Sequence, residues 1–241
     1  MTPVSTAVLE SLRRLDTCSV SNAIERFNVR LRNEGFVSGA LRCRFPELAP
    51  MLGYAATARV HTSSAPMRAR CYFDRMDWWT YVASLPEPRV MVLQDADHTP
   101  GIGALVGEIH ATIAQALNCS GCITNGAVRD LEAVEAIGFP LFSRRVSVTH
   151  AYAHIVEFGN PVEIGGTTFR PGDLVHGDRN GVHIIPPEIA EALPDMVHRI
   201  QEQEKELTRF CRSGAFSLVE LGERMRPVSK DGLPHIHTST S

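Results

Sequence analysis

The stretch that decides the fold reads Gly121-Cys122-Ile123-Thr124-Asn125-Gly126-Ala127-Val128-Arg129-Asp130-Leu131. Its apolar beginning predicts a buried strand, and the Asn125-Gly126 pair predicts a tight turn. A cation and a carboxylate, Arg129 and Asp130, then stand at the start of a short helix over Leu131 to Ile137, which a glycine and a proline end. Spacing alone favours a structural interpretation, in which Asp130 caps this helix and Arg129 forms a surface ion pair.

A second helix start lies upstream of this stretch. Arg89 to Gln94 predicts a buried strand, and Gly107 to Leu117 predicts a helix before the strand at Gly121. This order of strand, loop, helix and strand is typical of an α/β fold. The helix opens with Gly107-Glu108-Ile109-His110, where free backbone N–H groups and the helix dipole favour a carboxylate. Two helix starts that follow neighbouring strands predict a shared cleft for a small anion.

The rest of the chain extends this α/β core. Helical spacing over Leu9 to Phe27 is broken at Asp16-Thr17-Cys18-Ser19, which predicts an N-terminal pair of helices. The apolar stripe of Pro187 to Arg212 predicts a C-terminal helical arm. We predict one domain over residues 1–226 and a disordered tail over residues 227–241. Short apolar runs bounded by turn dipeptides predict further strands at Gly53 to Val60, Pro161 to Ile164, Thr167 to Arg170, Leu174 to His176 and Val182 to Ile185.

Charge and hydropathy argue against several classes of partner. The formal net charge is −3 over 241 residues. No block of like charges occurs, so we expect neither a nucleic acid nor a membrane surface as the main partner. Met1 to Arg14 lacks an apolar core of signal-peptide length, and no stretch approaches the roughly 20 apolar residues that span a bilayer. We therefore expect a cytoplasmic protein whose six cysteines are reduced.

Lysine usage bears directly on the chemistry. Of the 24 basic residues only Lys205 and Lys230 are lysines. Arginine cannot form a Schiff base, and a lysine that does so needs a desolvated pocket to lower its pKa. Lys205 lies in a charged run and Lys230 in a polar tail. We therefore do not expect amine catalysis.

A series of short motifs follows one another over most of the chain. They are Leu15-Asp16-Thr17, Val20-Ser21-Asn22-Ala23, Gly53-Tyr54-Ala55-Ala56-Thr57-Ala58, Gly107-Glu108, Asn125-Gly126-Ala127-Val128-Arg129-Asp130, Phe139-Pro140-Leu141-Phe142, Gly165-Gly166, Pro171-Gly172-Asp173-Leu174 and Asp178-Arg179-Asn180-Gly181-Val182. In this order they resemble one family, which contains the regulator of ribonuclease E activity (RraA-like) and the 4-hydroxy-4-methyl-2-oxoglutarate and 4-carboxy-4-hydroxy-2-oxoadipate aldolases. Any one motif is common, whereas the ordered set is specific.

The resemblance implies a fold, an assembly and a reaction. The fold is a single-domain ββα swivelling-type sandwich with N-terminal helices and a C-terminal arm, in a homotrimer or homohexamer with sites between subunits. The reaction is cleavage of a 4-hydroxy-2-oxo di- or tricarboxylic acid to pyruvate and an oxo acid. Decarboxylation of oxaloacetate is the implied side reaction, because it passes through the same enolate.

Site residues are carried over from the same resemblance. Backbone amides of Gly107 to His110 bind the α-keto-acid carboxylate, and Arg129 binds substrate and stabilises the developing enolate. Asp130 holds a divalent cation, Mg²⁺ or Mn²⁺, with a nearby water as proton carrier. These residue types suit the reaction, since a cation and a fixed guanidinium stabilise charge where it develops.

Some positions depart from the family pattern or leave alternatives open. Asn22 stands where many relatives carry Asp, and Asn125 stands where they carry Asp or another residue. We therefore expect the surroundings of the site, and with them the substrate, to differ. The aldolases also take an acidic residue from a neighbour's C-terminal helix. Glu202, Glu204 or Glu206 could fill that place, but a solvated helix face explains all three and is the favoured interpretation for any one of them.

Two other functions are compatible with the same motifs. One is a non-catalytic regulator that binds a ribonuclease or an RNA helicase. Such regulators tend to be shorter and to lack the acidic C-terminal helix, so Pro187 to Arg212 favours an enzyme. The other is a lyase or hydrolase of a sugar-acid pathway, which shares the motifs.

Further motif-like patterns are interpreted as structural. Cys119 and Cys122 have the spacing of a redox pair, but they close a helix and open a strand, the reverse of the thioredoxin order. His150 and His154 could share a helix face, yet the glutamate of a zinc-protease motif is missing. We therefore interpret these histidines as packed or surface residues.

The remaining patterns are aromatic or glycine-rich. Trp78, Trp79 and Tyr81 lie in a segment that could be helical, and we interpret them as core rather than pocket residues. Gly101, Gly103 and Gly107 imitate a dinucleotide-binding loop. Residues 95–100 separate them from the preceding strand, so the required tight turn from strand to helix is not expected.

Overall fold

The structure is a computed structural model that describes residues 4–37, 39–66 and 75–225. The strands are β1 (Arg42–Cys43), β2 (Met51–His61), β3 (Arg89–Asp95), β4 (Ala104–Val106), β5 (Cys119–Val128), β6 (Leu141–Val146), β7 (His154–Phe158), β8 (Val162–Ile164), β9 (Thr167–Phe169), β10 (Leu174–Asp178) and β11 (Gly181–Ile185). The helices are α1 (Thr6–Leu12), α2 (Thr17–Phe27), α3 (Arg75–Ser84), α4 (Glu108–Ala116), α5 (Leu131–Ala136), α6 (Leu193–Cys211) and α7 (Leu218–Arg224).

A nine-stranded mixed sheet forms the centre, in the order β1-β6-β5-β3-β2-β10-β11, with β4 paired to β5 and β7 paired to β2. The pairs β6-β5, β5-β3 and β3-β2 are parallel, whereas β1, β7, β10 and β11 pair antiparallel with their neighbours. This arrangement confirms the predicted mixed α/β fold. The carboxyl ends of the parallel strands meet at one edge, where ligands bind in open α/β sheets.

Both faces of the sheet are covered by apolar side chains. Helices α3, α4 and α5 pack on one face, where Trp78 and Trp79 are only 2% and 8% exposed. Their interpretation as core residues is confirmed. The β8-β9 hairpin packs on the other face through residues such as Ile164 and Phe169. A third cluster joins α1, α2 and α6 to the β10-β11 hairpin.

The N-terminal helical pair is confirmed, and its break has a local cause. Asp16 has extended backbone angles, and its carboxylate accepts a hydrogen bond from the Ser19 N–H at 2.8 Å. An N-cap of this kind stabilises a helix by about 1 kcal/mol. The pair is further fixed because the Thr17 N–H and hydroxyl both donate to Asp178, at 2.9 and 2.6 Å.

The prediction of a tight turn at Asn125-Gly126 is wrong. Strand β5 runs on through these residues to Val128, and its register against β6 shifts between Thr124 and Ala127. The Asn125 amide explains the difference, because its oxygen accepts from the Asp95 N–H at 2.6 Å and its nitrogen donates to the Asp95 carbonyl at 2.9 Å. Asn125 thus replaces a backbone pairing within a bulge instead of forming a turn.

The C-terminal helix begins later than predicted. Residues 187–189 precede a 3-10 turn at Ala190–Ala192, and α6 starts only at Leu193, with Pro194 in its first turn. Proline suits that position because the first turn needs no N–H donor. The predicted tail lies outside the described residues, and the single domain over residues 1–226 stays a prediction. In the part of the chain that the structure describes, no helix is long and apolar enough to cross a membrane.

Candidate functional site

The two predicted helix starts meet at the ends of β4 and β5. The Arg129 N–H donates to the Val106 carbonyl at 3.0 Å, which brings the start of α5 against the start of α4. The Glu108 N–H, in the first turn of α4, donates to Asp130 Oδ2 at 3.3 Å. The structural interpretation of Asp130 is therefore wrong in one respect: its side chain does not cap α5 but approaches the N–H groups of α4.

Arg129 and Asp130 form the predicted ion pair. The Arg129 Nε–H donates to Asp130 Oδ1 at 3.0 Å, and the two side chains are 28% and 36% exposed. Asp130 holds a left-handed backbone conformation, with φ of 55°, so the chain reverses sharply between the strand and α5. Solvent and small molecules can reach both side chains.

Electrostatics keep the Asp130 carboxylate ionised. Burial raises its pKa, but hydrogen bonds from Arg129 and from the Glu108 N–H outweigh this effect, and the charges of Arg129 and His150 act in the same direction. The pKa of Asp130 is therefore lowered from its ordinary value. At neutral pH the site presents a negative charge beside a fixed guanidinium.

Gly107 is required by the close approach of these side chains. A Cβ atom at this position would lie 2.4 Å from Asp130 Oδ2 and 2.9 Å from Arg129 Cγ. The φ of Gly107 is −137°, which any residue adopts, so the requirement is steric rather than conformational. The absent side chain lets the carboxylate reach the amides of α4.

The first turn of α4 carries the other predicted substrate-binding residues. Its N–H groups point away from the helix body, as at any helix start, and the Glu108 N–H is the one engaged by Asp130. Ile109 is 73% exposed. The His110 ring lies 5.9 Å from that of Trp79, so the aromatic core supports this turn from beneath. The predicted site residues therefore lie close together, with Gly107 to His110 at the start of α4 and Arg129 and Asp130 at the start of α5.

Sequence reasoning missed the loop between β6 and β7. His150 lies in this loop and not on a helix; its Nδ1 donates to the Ala104 carbonyl at 2.8 Å, and its charge acts on Asp130. A Cβ at Gly103 would lie 2.2 Å from the His150 carbonyl oxygen, which shows how closely the loop packs on the start of β4. In the sequence, this contact was signalled only by Gly103, a glycine that belongs to none of the predicted turns.

The donor set can be tested for its fit to a divalent cation. Among the described residues, no group of three or more His, Cys, Asp or Glu side chains is placed to hold a metal ion. Asp130 offers an ionised carboxylate with unused lone pairs, beside a helix start of the kind that favours anions. A hard cation that keeps most of its waters fits such a site, because Mg²⁺ is usually bound through one or two carboxylates.

The cysteine pair is structural, as interpreted from the sequence. Cys119 and Cys122 are both buried. Burial raises the pKa of the Cys119 thiol to about 12 and raises that of Cys122 further. Redox and metal chemistry need the thiolate, so neither thiol is prepared for it.

A family model and several known proteins match the sequence of this chain. A family model described as RraA-like: Aldolase/RraA matches residues 17–184. A protein of Halalkalibacterium halodurans named "Putative 4-hydroxy-4-methyl-2-oxoglutarate aldolase" is 30% identical over 125 residues, 51% of this chain and 59% of that protein. Protein DlpA of Legionella pneumophila is 26% identical over 138 residues, 56% of this chain and 22% of DlpA. The chain thus spans less than two thirds of the length of either relative.

Solved structures share the fold. A protein from Pseudomonas syringae pv. tomato matches with a TM-score of 0.71 and 22% identity, over 92% of this chain and 95% of that one. Streptomyces coelicolor RraAS2, described as an unusual member of the RNase ES inhibitor RraA protein family, matches with a TM-score of 0.65 and 20% identity, over 87% and 98% of the two chains. At this identity the likeness concerns the fold.

Proposed function

Because the chain belongs to the RraA-like aldolase/RraA family, we propose that it is a divalent-metal-dependent lyase of the pyruvate aldolase type. Its substrate is a 4-hydroxy-2-oxo di- or tricarboxylic acid, cleaved to pyruvate and a second oxo acid. The family contains both aldolases and regulators of ribonuclease E, and the site geometry favours the enzyme. We also propose for the core the ββα swivelling-type sandwich of the family.

One observation carries the proposal: an ionised carboxylate and a guanidinium, 3.0 Å apart, stand against the amino end of a helix. A 2-oxo acid has a carboxylate next to its ketone. The carboxylate suits the first-turn N–H groups of α4 and the ketone oxygen suits Arg129. Since Asp130 already accepts from the Glu108 N–H, the substrate carboxylate is expected to meet the other amides of the turn from Gly107 to His110.

The protein side of the reaction follows from these positions. Breaking the bond between C3 and C4 of the substrate turns C4 into a carbonyl and leaves the enolate of pyruvate, which takes up a proton at C3 to give pyruvate. The Arg129 guanidinium is held by Asp130, so it stabilises the developing charge without first having to reorganise. One such interaction is typically worth about 2.7–4 kcal/mol of transition-state stabilisation. A proton must also leave the 4-hydroxyl group, and we propose a water near Asp130 as its carrier.

We propose Mg²⁺ or Mn²⁺ as the cofactor, held by Asp130. When bound, such a cation supplies Lewis acidity for the ketone oxygen. An imine is the usual alternative, and it requires a lysine in an apolar pocket. Lys205 is 63% exposed and donates to Glu202 at 2.7 Å, so its amine is not desolvated, whereas Lys230 lies outside the described residues. Because Lys205 does not suit imine formation, we propose that a Lewis acid stabilises the enolate.

We propose that the site is completed by a neighbouring subunit, in a homotrimer or homohexamer. Apolar side chains are exposed around the site at Ile102, Ile109, Val146, Val148 and Tyr152. Helix α6, which carries Glu202, Glu204 and Glu206, packs on α1 and α2 rather than beside α4 and α5. One of these glutamates can therefore contribute to a site in the next subunit better than to its own.

The decisive experiment is a coupled assay of pyruvate release over a panel of 4-hydroxy-2-oxo acids and oxaloacetate, with Mg²⁺ or Mn²⁺. We expect turnover of at least one substrate, loss of turnover with EDTA and recovery with added metal. The Asp130→Asn variant should need far more metal. Full activity after exhaustive chelation, or borohydride trapping of substrate on a lysine, would contradict the mechanism. Absence of turnover over the whole panel would favour a regulator, or a lyase or hydrolase acting on sugar acids.

A further inference from the structure

A second cluster of polar side chains lies where β2 and β3 end, and it uses none of the residues of the candidate site. Its anchor is Asp97, whose carboxylate is 4% exposed. It accepts hydrogen bonds from the backbone N–H groups of Thr62 and Ser63 at 2.7 and 2.8 Å, and from their hydroxyls at 2.9 and 2.8 Å. A carboxylate held by so many donors has one fixed orientation.

His61 is oriented by this carboxylate. Its Nδ1 lies 2.6 Å from Asp97 Oδ1, and its side chain is 36% exposed. Asp97 already accepts four hydrogen bonds from the N–H and hydroxyl groups of Thr62 and Ser63, so its carboxylate also accepts from the His61 ring. The hydrogen of a neutral His61 ring is therefore on Nδ1, which leaves the Nε2 lone pair available.

His154 is oriented in the same way on the neighbouring strand. Its Nδ1 lies 2.6 Å from the Tyr152 carbonyl oxygen, which also only accepts, so its Nε2 likewise presents a lone pair. His61 and His154 are register partners across β2 and β7, and their side chains therefore lie on the same face of the sheet. The ring centroids are 6.2 Å apart, with 33° between the ring planes.

We propose that His61 and His154 form a binding site for a divalent metal ion such as Zn²⁺, with Asp97 as the carboxylate that orients His61. Histidines that bind metals commonly donate their second ring N–H to a carboxylate or a backbone carbonyl. Here His61 donates to the Asp97 carboxylate, and His154 donates to the Tyr152 carbonyl. Imidazole nitrogen selects Zn²⁺, Ni²⁺ or Cu²⁺ over Mg²⁺, so this site differs in chemistry from that at Asp130.

Two protein ligands leave the remaining coordination positions to water or to an exogenous ligand. The ion would join the end of β2 to the start of β7, directly after the loop that carries His150. It would thereby fix this loop, whose packing on β4 borders the candidate site. The inference does not depend on the proposed aldolase activity, because it uses neither Arg129 nor Asp130.

The test is titration of the whole chain with Zn²⁺ against a chromophoric chelator. We expect a site that excess Mg²⁺ does not displace and that prefers Cu²⁺ to Zn²⁺. His61→Phe and His154→Phe keep a ring for packing but should each abolish this site. Asp97→Asn should weaken it about 10- to 100-fold. Zn²⁺ should raise the melting temperature of the wild type but not of the two phenylalanine variants.

Matched controls separate this site from other ligands in the chain. His98→Ala removes an exposed histidine next to Asp97, and Asp130→Asn removes the proposed Mg²⁺ ligand; both should keep the Zn²⁺ affinity. A His235→Ala, His237→Ala double variant should keep it as well. Unchanged affinity in both phenylalanine variants, or an equal loss in any control, would overturn the proposal whatever the outcome of the pyruvate assay.

Discussion

At the scale of single residues, Gly107 matters to the proposed chemistry because its missing side chain makes room for Asp130. We predict that Gly107→Ala pushes the carboxylate away from the Glu108 N–H, since a Cβ would lie 2.4 Å from Oδ2. A misplacement of about 1 Å in an active site can cost about 100-fold in rate. We therefore expect a loss of about that size in pyruvate release, measured beside the circular dichroism spectrum.

The control for this substitution is Gly222→Ala in α7. No atom lies within 4 Å of a Cβ at Gly222, so alanine meets no obstacle there. Alanine is also the better helix former, by about 1 kcal/mol. Equal activity of the Gly107 and Gly222 variants would show that the approach of Asp130 to α4 has no part in the reaction.

Arg129 supplies a second prediction at this scale. We expect Arg129→Lys to fold normally and to lose about 10²–10³ in turnover, the loss typical of removing one well-placed group from a developing oxyanion. Lysine keeps the positive charge but lacks the planar fork that holds Asp130 and a substrate oxygen together. Turnover at saturating Mg²⁺ measures the effect.

Arg179→Lys is the matched control, because Arg179 also pairs with one carboxylate, that of Glu47, at 3.1 Å on the surface. Its turnover should equal that of the wild type. Near-normal turnover of Arg129→Lys would place the chemistry at another site.

At the scale of elements, the sequence predicted those strands and helices that are set by their own pattern. Strands β2 and β3 and helix α4 begin and end within a few residues of their predicted limits, because their apolar periodicity is local. Strand β4 was not predicted, because its three residues are too few to show a pattern of alternating apolar and polar residues. The Ala104 N–H donates to the Thr149 carbonyl, a contact between distant parts of the chain that no local pattern encodes.

The packing of α1 and α2 on the β10-β11 hairpin gives a prediction about pH. His176 and His183 are buried there, with His176 Nδ1 3.2 Å from His183 Nε2. Burial lowers the pKa of His176 to about 4, although the charges of Asp178 and Asp16 and the carbonyls of Leu12 and Leu15 favour its protonated form. Burial, His176 and Arg30 lower the pKa of His183 well below its ordinary value.

The folded and unfolded chains differ in the protonation of His176. Between pH 6.5 and about 4 the unfolded chain binds a proton on His176 that the folded chain does not bind. The free energy of unfolding should therefore decrease as the pH is lowered through this range, by about 1.4 kcal/mol per pH unit for one proton. Urea unfolding at several pH values measures this slope. His176→Gln should have a shallower slope, whereas His198→Gln, at an exposed position, should keep it; equal slopes in all three proteins would refute the assignment.

At the scale of the whole molecule, the ordered motifs predicted the family and the mixed α/β fold, whereas assembly is beyond local patterns. The contacts within the chain place α4 and α5 together at one sheet edge and α6 with α1 and α2. Whether Glu202, Glu204 or Glu206 reaches a neighbour's site depends on a surface that one chain does not contain. Exposed apolar side chains beside the candidate site mark the surface on which a neighbouring subunit would pack.

The last prediction concerns this surface. Val148 is 95% and Tyr152 is 56% exposed, in the loop that packs on β4 beside the candidate site. Large apolar side chains grouped on a surface mark sites of association. We predict a homotrimer or homohexamer by light scattering at micromolar concentration. Val148→Glu should lower both the mass and the turnover, because a charge there opposes burial and the site lies between subunits. Leu31→Glu, at a position 64% exposed after α2, should change neither. A monomeric wild type with full turnover would contradict a shared site.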